Sequence, residues 1–461
     1  MKKKLSAVTA LLWASAAAAP AQQTDIVIKL MGGDKPAMAV PDLRGAGAAG
    51  GWMSAFNSTL FSDLQDAGLF RMVPKSVYPL EVPQRPQDFK APLPPPARPR
   101  RGQEAKPVRQ GPWLTDWSEP PASANYLAMG YAAEQGGSLV LFGWLFNVTQ
   151  NDVANAQVFG KLYFGPMEES GARKVAHEFA ADILEKFGQR SLAGSKIYFT
   201  SERTGHKEIW SMDWDGAGQK QLTFLSSITS YLAISPDNTK LAISTFAKDE
   251  PQIFLLSLET GRRLTFYNQR ASMNATPEFT PDGKSILFSS TAGGGAPQIY
   301  ACDLDGRNMR PISTSRSIEV SPRVNPKTGN ELVFVSGRSG PAQIYKMNMD
   351  GADVARLTTG EGEAHNPAWH PDGKHIAFAW TKGYDPGNFN IFVMDVATRE
   401  IVQLTHGAGR NENPTWAPDG RHLVFSSNRG GSMQIWTMLA DGTQLRQLTT
   451  QGRNTTPVWS R

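Results

Sequence analysis

From Ser195 to the C-terminus, short apolar runs and turns alternate with a fixed period. One strand-like phrase returns as Ile197-Tyr198-Phe199, Leu241-Ala242-Ile243, Ile286-Leu287-Phe288, Leu332-Val333-Phe334, Ile376-Ala377-Phe378 and Leu423-Val424-Phe425, at steps of 44 to 47 residues. A repeat of this length marks a repeat architecture. Each copy holds four β-branched or aromatic runs separated by Pro-Asp-Gly, Asp-Gly or Thr-Gly turns. In these turns proline sets φ, Asp bonds the local backbone, and Gly or Asn accepts positive φ. The third copy departs, with Asn325-Pro326-Lys327-Thr328-Gly329 one residue longer and lacking the Asp. Four strands at this period make one blade of a propeller. The strand ending in Pro-x-Trp is out of phase: the first copy lacks it, and Thr456-Pro457-Val458-Trp459 is left over at the end. The pattern predicts six blades closed by strands from both ends, which leaves only short edges.

The N-terminal part reads differently. Thr24 to Met31 and Ala37 to Val40 read as strands. Trp52, Phe56, Leu60 and Leu64 recur every four residues and predict a helix over 52–67, with Gly68 as its cap. Leu69 to Val73 returns as a strand. A helix is expected around Ala122 to Gln135, then strands at Ser138 to Val148 and Gln157 to Phe164. A second long helix is expected over 168–187, with Val175, Phe179, Ile183 and Phe187 on one face. The fold class is therefore an α/β N-terminal domain over 22–190 followed by an all-β six-bladed propeller over 195–461. Fewer than ten residues join them, so the two are expected to pack together.

Composition adds a compartment and removes a partner class. Lys2, Lys3 and Lys4, the apolar run to Ala19 and Ala19-Pro20-Ala21 read as a cleavable secretory signal over 1–21. Its apolar run is short for a membrane anchor, which needs about 20 residues. Secretion without an anchor implies a periplasmic protein, and no cysteine follows the cleavage site to carry a lipid. The one cysteine, Cys302, allows no internal disulfide. The segment 81–112 has nine prolines in 32 residues and cannot sustain a helix or central strand. It reads as an extended, mobile, mildly basic insert, either a solvated loop or a docking segment. Of the formal net charge of +5, the signal accounts for three and the insert for four, so the folded remainder is near −2. That balance argues against nucleic acid as a partner.

Candidate chemistry is sparse. Gly45-Ala46-Gly47-Ala48-Ala49-Gly50 matches a dinucleotide fingerprint in letters. However, it stands four residues beyond the strand and no acid follows for the ribose, so a flexible loop is the reading. His365, His370 and His375 sit five apart at positions expected to point in different directions, as polar turn residues rather than a metal set. No cofactor is expected. No Gly-x-Ser-x-Gly elbow is present, and the acids of the repeats mostly occupy Asp-Gly turns. The chain is read as having no enzymatic activity. The loops before each Pro-x-Phe/Trp strand are polar and carry no turn duty. They include Arg270, Ser272 and Asn274; Arg316 and Glu319; His365 and Asn366; Arg410, Asn411, Glu412 and Asn413; and Arg453 and Asn454. Around one mouth of a ring they would form a docking surface.

The phrases Asn366 to Phe378 and Asn413 to Gly431, with Ser62 to Val73 and the junction Ala172 to Gly188 followed by Ser195 to Arg203, resemble the TolB family of the Tol-Pal cell-envelope system. The resemblance covers nearly the whole mature chain. It implies a monomeric, non-enzymatic scaffold peripheral to the outer membrane. Such a scaffold binds the peptidoglycan-associated lipoprotein Pal through the propeller mouth and TolA through the mature N-terminus. It also implies support of outer-membrane integrity and cell division, and use by some bacteriocins. By the family's pattern Met273, Asn274 and Thr276 before Pro277, and Glu319 and Val320 before Ser321-Pro322, face Pal. The wider mouth adds His365, Asn366, Arg410, Asn411, Asn413 and Asn454. The proline-rich insert departs from the family, and the segment 22–28 does not match its TolA-binding segment. The alternative is a secreted propeller that binds or hydrolyses a glycan or peptide.

Overall fold

A computed structural model describes residues 35–90, 109–150, 152–383, 387–407 and 409–460. The signal, the strand read at Thr24 to Met31 and the centre of the proline-rich insert lie outside the described residues.

The N-terminal domain is a mixed sheet with two long helices on one face. Its strands are β1 (Ala37–Ala39), β2 (Arg44–Gly45), β3 (Arg71–Met72), β4 (Tyr126–Gln135), β5 (Ser138–Asn147) and β6 (Gln157–Pro166), in the order β3-β1-β4-β5-β6 with β2 beside β4. Helix α1 (Met53–Asp66) buries Phe56, Leu60 and Leu64 against Val175, Phe179 and Ile183 of α2 (Glu169–Lys186). Each such side chain contributes about 1.5–3 kcal/mol on leaving water. Gly171 in the first turn of α2 crosses β6 closely, and a Cβ there would sit 1.9 Å from the Pro166 carbonyl oxygen.

Three expectations are corrected. The helix read around Ala122 to Gln135 is strand β4, joined to β5 by Gly136-Gly137, both at positive φ. Its run of Ala, Leu and Met looks helical, but a central strand covered on both faces loses the alternation that identifies strands. Gly45 to Gly50 is no loose loop: Gly47–Trp52 forms a 3-10 turn that feeds α1. The described ends of the insert are pinned, with Phe89 buried and Lys90 N–H donating to Pro112 O at 3.0 Å.

The propeller has six four-stranded antiparallel sheets. The inner strands of blades 1 to 6 are Thr229–Ile234, Asn274–Phe279, Glu319–Val324, Ala364–Trp369, Asn411–Trp416 and Asn454–Trp459. As expected, the last of these completes the sheet begun by Lys196–Ser201, with Asn454 opposite Ser201 and Trp459 opposite Ile197. The two ends are latched further: Lys196 N–H donates to Ser460 Oγ at 2.8 Å and Trp459 Nε1 to Ser195 Oγ at 2.9 Å.

The repeated letters have local reasons. Ile435 N–H donates to Thr449 Oγ1 at 2.9 Å, and that hydroxyl donates to Gln434 at 2.7 Å. Ile344, Thr358 and Gln343 repeat the arrangement in blade 3. In the Pro-Asp-Gly turns the Asp accepts a backbone N–H two residues on, as Asp419 does from Arg421 at 2.9 Å. In the departing third copy Asn325 takes that part, accepting Lys327 N–H at 3.0 Å.

Candidate functional site

Each inner strand runs between the two faces of the ring, so the turns at its two ends fall on opposite faces. One face, the floor, carries the Pro-Asp-Gly turns and the N-terminal domain. The blade 5 turn grips the C-terminal end of α1. Arg421 donates to Ala67 O at 3.1 Å and Gly68 O at 3.0 Å, and His422 Nε2 donates to Asp66 O at 2.6 Å. Arg446 pairs with Asp66 at 3.0 Å, and Arg173 of α2 pairs with Asp215 on blade 6. Gly68, at φ +63, lets the chain leave α1 against Leu439, where a Cβ would meet Leu439 Cδ1 at 2.5 Å.

His422 also has Nδ1 2.6 Å from Asp419 Oδ2. A carbonyl and a carboxylate only accept, so both ring nitrogens carry protons. Burial opposes that charge. The Asp419 carboxylate, its hydrogen bond and the Asp66 carbonyl outweigh burial and raise the His422 pKa. Burial likewise opposes the Asp419 charge, but His422 and backbone N–H groups hold its carboxyl below the usual range. A cation at a helix C-terminus is further favoured by the helix dipole.

Along the channel, every inner strand is broken by a bulge. At each bulge a non-glycine residue takes the left-handed conformation: Tyr231, Thr276, Ser321, Asn366, Asn413 and Thr456, with φ from 48° to 56°. All six line one constriction of the channel. In five blades proline follows, tolerated because an inner strand is a sheet edge. Such residues cost about 1–3 kcal/mol each and cluster at functional sites. Toward the floor the channel widens into a cavity of about 300 Å³ lined by Trp369, Trp416 and Trp459 on one side and Leu232 to Ile234 on the other. The cavity also holds the Arg323–Glu278 ion pair at 2.8 Å.

The residues expected at the mouth fall into two groups. Asn366, Asn413 and Thr276 belong to the bulge ring, and Met273 and Val320 are half-buried beside it. His365 is half-buried against Phe389, with Glu363 at 3.3 Å, and exposed Arg410 pairs with Glu412 at 2.6 Å. By contrast Asn274, Glu319, Asn411 and Asn454 are buried. Asn411 Oδ1 accepts from Ser427 at 2.8 Å and from Arg429 at 2.8 Å. Asn454 accepts from Arg203, Glu319 pairs with Arg338, and Asn274 accepts from Ser290. Arg203, Arg338 and Arg429 in turn lie over aromatic rings of their own blades. These four side chains shape the mouth from within the blades.

Blade 1 lacks this arrangement, holding Thr229 against Thr245 at 3.1 Å instead. Its entry loop exposes Phe224 (74%) and Ile228 (51%), its inner strand Tyr231 (44%) and its second strand Phe246 (41%). Sequence reading missed them because it sought polar loops. The available signal was Phe224, an apolar residue in a loop position that four of the other five copies fill with Thr or His.

The three histidines need a correction too. His365 stands apart, but His370 and His375 converge on Asp372, the one group among the described residues whose His, Cys, Asp and Glu donors lie close enough for a metal ion. Both nitrogens of His370 are engaged, Nε2 with Gly420 O at 2.7 Å and Nδ1 with Asp372 N–H at 3.0 Å, and His375 Nδ1 meets Asp372 at 2.7 Å. Burial opposes the Asp372 charge, yet the two histidines hold its carboxyl well below the usual range. The group works as a clamp on its turn, and a metal would have to displace these bonds.

A family model described as the TolB β-propeller domain matches residues 188–384 and 360–461. The chain belongs to the TolB β-propeller family. The Tol-Pal system protein TolB of Gluconobacter oxydans is 40% identical over 269 residues, 57% of this chain and 57% of its own length. A TolB homolog of Chlorobium chlorochromatii is 38% identical over 138 residues, 30% of each chain. The chain thus matches from under a third to somewhat over half the length of these relatives. TolB from Acinetobacter baumannii shares the fold, with a TM-score of 0.74 over 93% of this chain and 97% of that one, at 22% identity. No described helix of this TolB-family chain is long and apolar enough to cross a membrane.

Proposed function

We propose that this protein is a periplasmic interaction scaffold of the Tol-Pal system, that its propeller mouth binds a Pal-type peptidoglycan-associated lipoprotein, and that it thereby supports outer-membrane integrity and cell division. One observation carries the reading: the floor is engaged by the N-terminal domain, while the opposite face offers a ring of six strained, non-glycine bulges. The names of the relatives, Tol-Pal system proteins among them, support the same assignment. Half-buried Asn366 and Asn413, with His365 beside them, give the mouth polar contacts for a protein partner. TolA is the second proposed partner, through the mature N-terminus, which lies outside the described residues.

The mouth is proposed to bind rather than to catalyse. Glycoside hydrolysis uses two carboxyl groups. Among the described residues lining the channel only Glu278 is acidic, and Arg323 pairs with it. The test is a titration of the purified chain with the soluble domain of its own Pal-type lipoprotein, beside turnover assays with glycan and peptide substrates. Saturable binding without turnover is expected. Turnover, or no binding, would overturn the assignment.

A further inference from the structure

Resting on the mouth as the binding face, we infer that the partner is gripped mainly at blade 1, by an apolar patch of Phe224, Ile228, Tyr231 and Phe246 bordered by Arg270 and Arg316, and so presents an apolar anchor flanked by carboxylates.

Four observations converge. First, the mouth is apolar at blade 1 to a degree the polar loops of blades 4 to 6 are not. Phe224 and Ile228 come from the loop entering the blade, and Phe246 from the hairpin between its second and third strands. Phe246 and Ile228 adjoin, since Phe246 N–H donates to Ile228 O at 3.0 Å, and Phe224 precedes Ile228 in the same loop. Second, that hairpin stays paired to its tip. Its strands Lys240–Lys248 and Glu250–Ser257 have nine and eight residues against six in the corresponding pair of blade 2, with Lys248 opposite Glu250, so Phe246 is held in a strand at the mouth and not in an open loop. Third, the left-handed position is filled by Thr, Ser or Asn in five blades but by Tyr231 in blade 1. A bulky aromatic is disfavoured there, and what the position delivers is a partly exposed ring at the channel constriction. Fourth, charge changes around the rim. At blades 4 to 6 Glu363 lies beside His365, Arg410 pairs with Glu412 and Arg453 with Glu202. The exposed remainder there, Glu361 and Lys382, is of mixed sign, as is the blade 1 hairpin tip with Lys248, Asp249 and Glu250. In the next two loops after blade 1 entry, Arg270 and Arg316 are exposed and have no ion-pair partner among the described residues.

Large aromatic anchors in a desolvated patch dominate binding, and matched rim charges contribute little. Unmatched cations steer an acidic partner and mainly affect association rate. The partner surface therefore carries one or two large apolar side chains seated against Phe224 and Tyr231, with Asp or Glu beside them.

The probe is the fluorescently labelled soluble domain of the chain's own Pal-type lipoprotein, titrated into the full mature chain. The double change Phe224→Ser with Ile228→Ser is expected to weaken binding at least about tenfold. Glu363→Ser with Arg410→Ser is expected to change it less than about twofold. Arg270→Glu with Arg316→Glu should slow association and flatten its salt dependence. All six positions are exposed or at the loop surface, and unchanged melting curves verify folding. Wild-type binding lost at blades 4 and 5 but kept at blade 1 would overturn this inference and leave the lipoprotein reading standing. Failure of the wild type to bind would overturn both.

Discussion

The floor and the mouth of the ring are made by the same six strands, yet they obey different rules. On the floor the copies agree, and one turn is reused. Asp372 with His375 in blade 4 and Asp419 with His422 in blade 5 hold the same Asp–His contact, at 2.7 and 2.6 Å. Only His422 has a helix end over its second nitrogen, and there the contact becomes a domain joint. At the mouth the copies disagree: blade 1 shows exposed rings where blade 5 shows a matched Arg–Glu pair. Agreement marks what the ring needs to stand, and disagreement marks what it can offer to something else.

The contrast can be broken in order of expected effect. Ending the chain after Val458 removes buried Trp459 and Ser460, which latch the last strand to the first. A loss of about 3–5 kcal/mol is expected by analogy with buried Trp truncation, read from the urea midpoint. An unchanged midpoint would mean that closure does not hold the ring. Next, His422→Ala leaves the buried Asp419 carboxylate with backbone N–H partners but without its imidazolium, removes the bond to Asp66 O, and should cost about 3 kcal/mol. His375→Ala should cost less, about 1 kcal/mol, because the Asp372 carboxylate keeps the Lys374 N–H and the His370 ring beside it. Equal losses in the two variants would show that the domain joint adds nothing.

The joint also sets a pH window. The His422 pKa is raised on folding, so its contribution is full below its unfolded value, near 6.5, and is lost as pH rises through the folded value. The Asp419 pKa is lowered, so its contribution is present above the unfolded carboxylate value and is lost as pH falls through the folded one. The joint is therefore strongest between the ordinary carboxylate range and the raised histidine range. Urea midpoints measured from about pH 6 to about pH 9 should fall in the wild type more steeply than in His422→Gln. Parallel curves would remove His422 from the account. The smallest stability effect belongs to the mouth: Phe224→Ser should leave folding within about 0.5 kcal/mol of the wild type, while weakening partner binding. A large loss of stability would make Phe224 part of the core and not of the surface.

Much of this was legible in the chain itself. The period, the four runs per copy and the stray Thr456 to Trp459 strand were enough to read six blades and their closure, because turn chemistry and strand alternation are local properties. The four-residue spacing of Phe56, Leu60 and Leu64 located α1 for the same reason. Less legible was β4, where burial on both faces erased the alternation. Least legible was the mouth. Asn274, Glu319, Asn411 and Asn454 look like polar loop residues, and what removes them from the surface is a serine or arginine brought back by the next hairpin.

Local order thus came from residue type and spacing alone: strand, turn, helix, cap and the count of blades. Three things waited for the packed chain: which of two equivalent histidines meets a helix end, which polar side chains turn inward, and which blade shows its rings to solvent. Each depends on a neighbour distant in sequence, since hydrogen bonds and burial are settled by what lies across a few ångströms of space and leave no periodic trace along the chain.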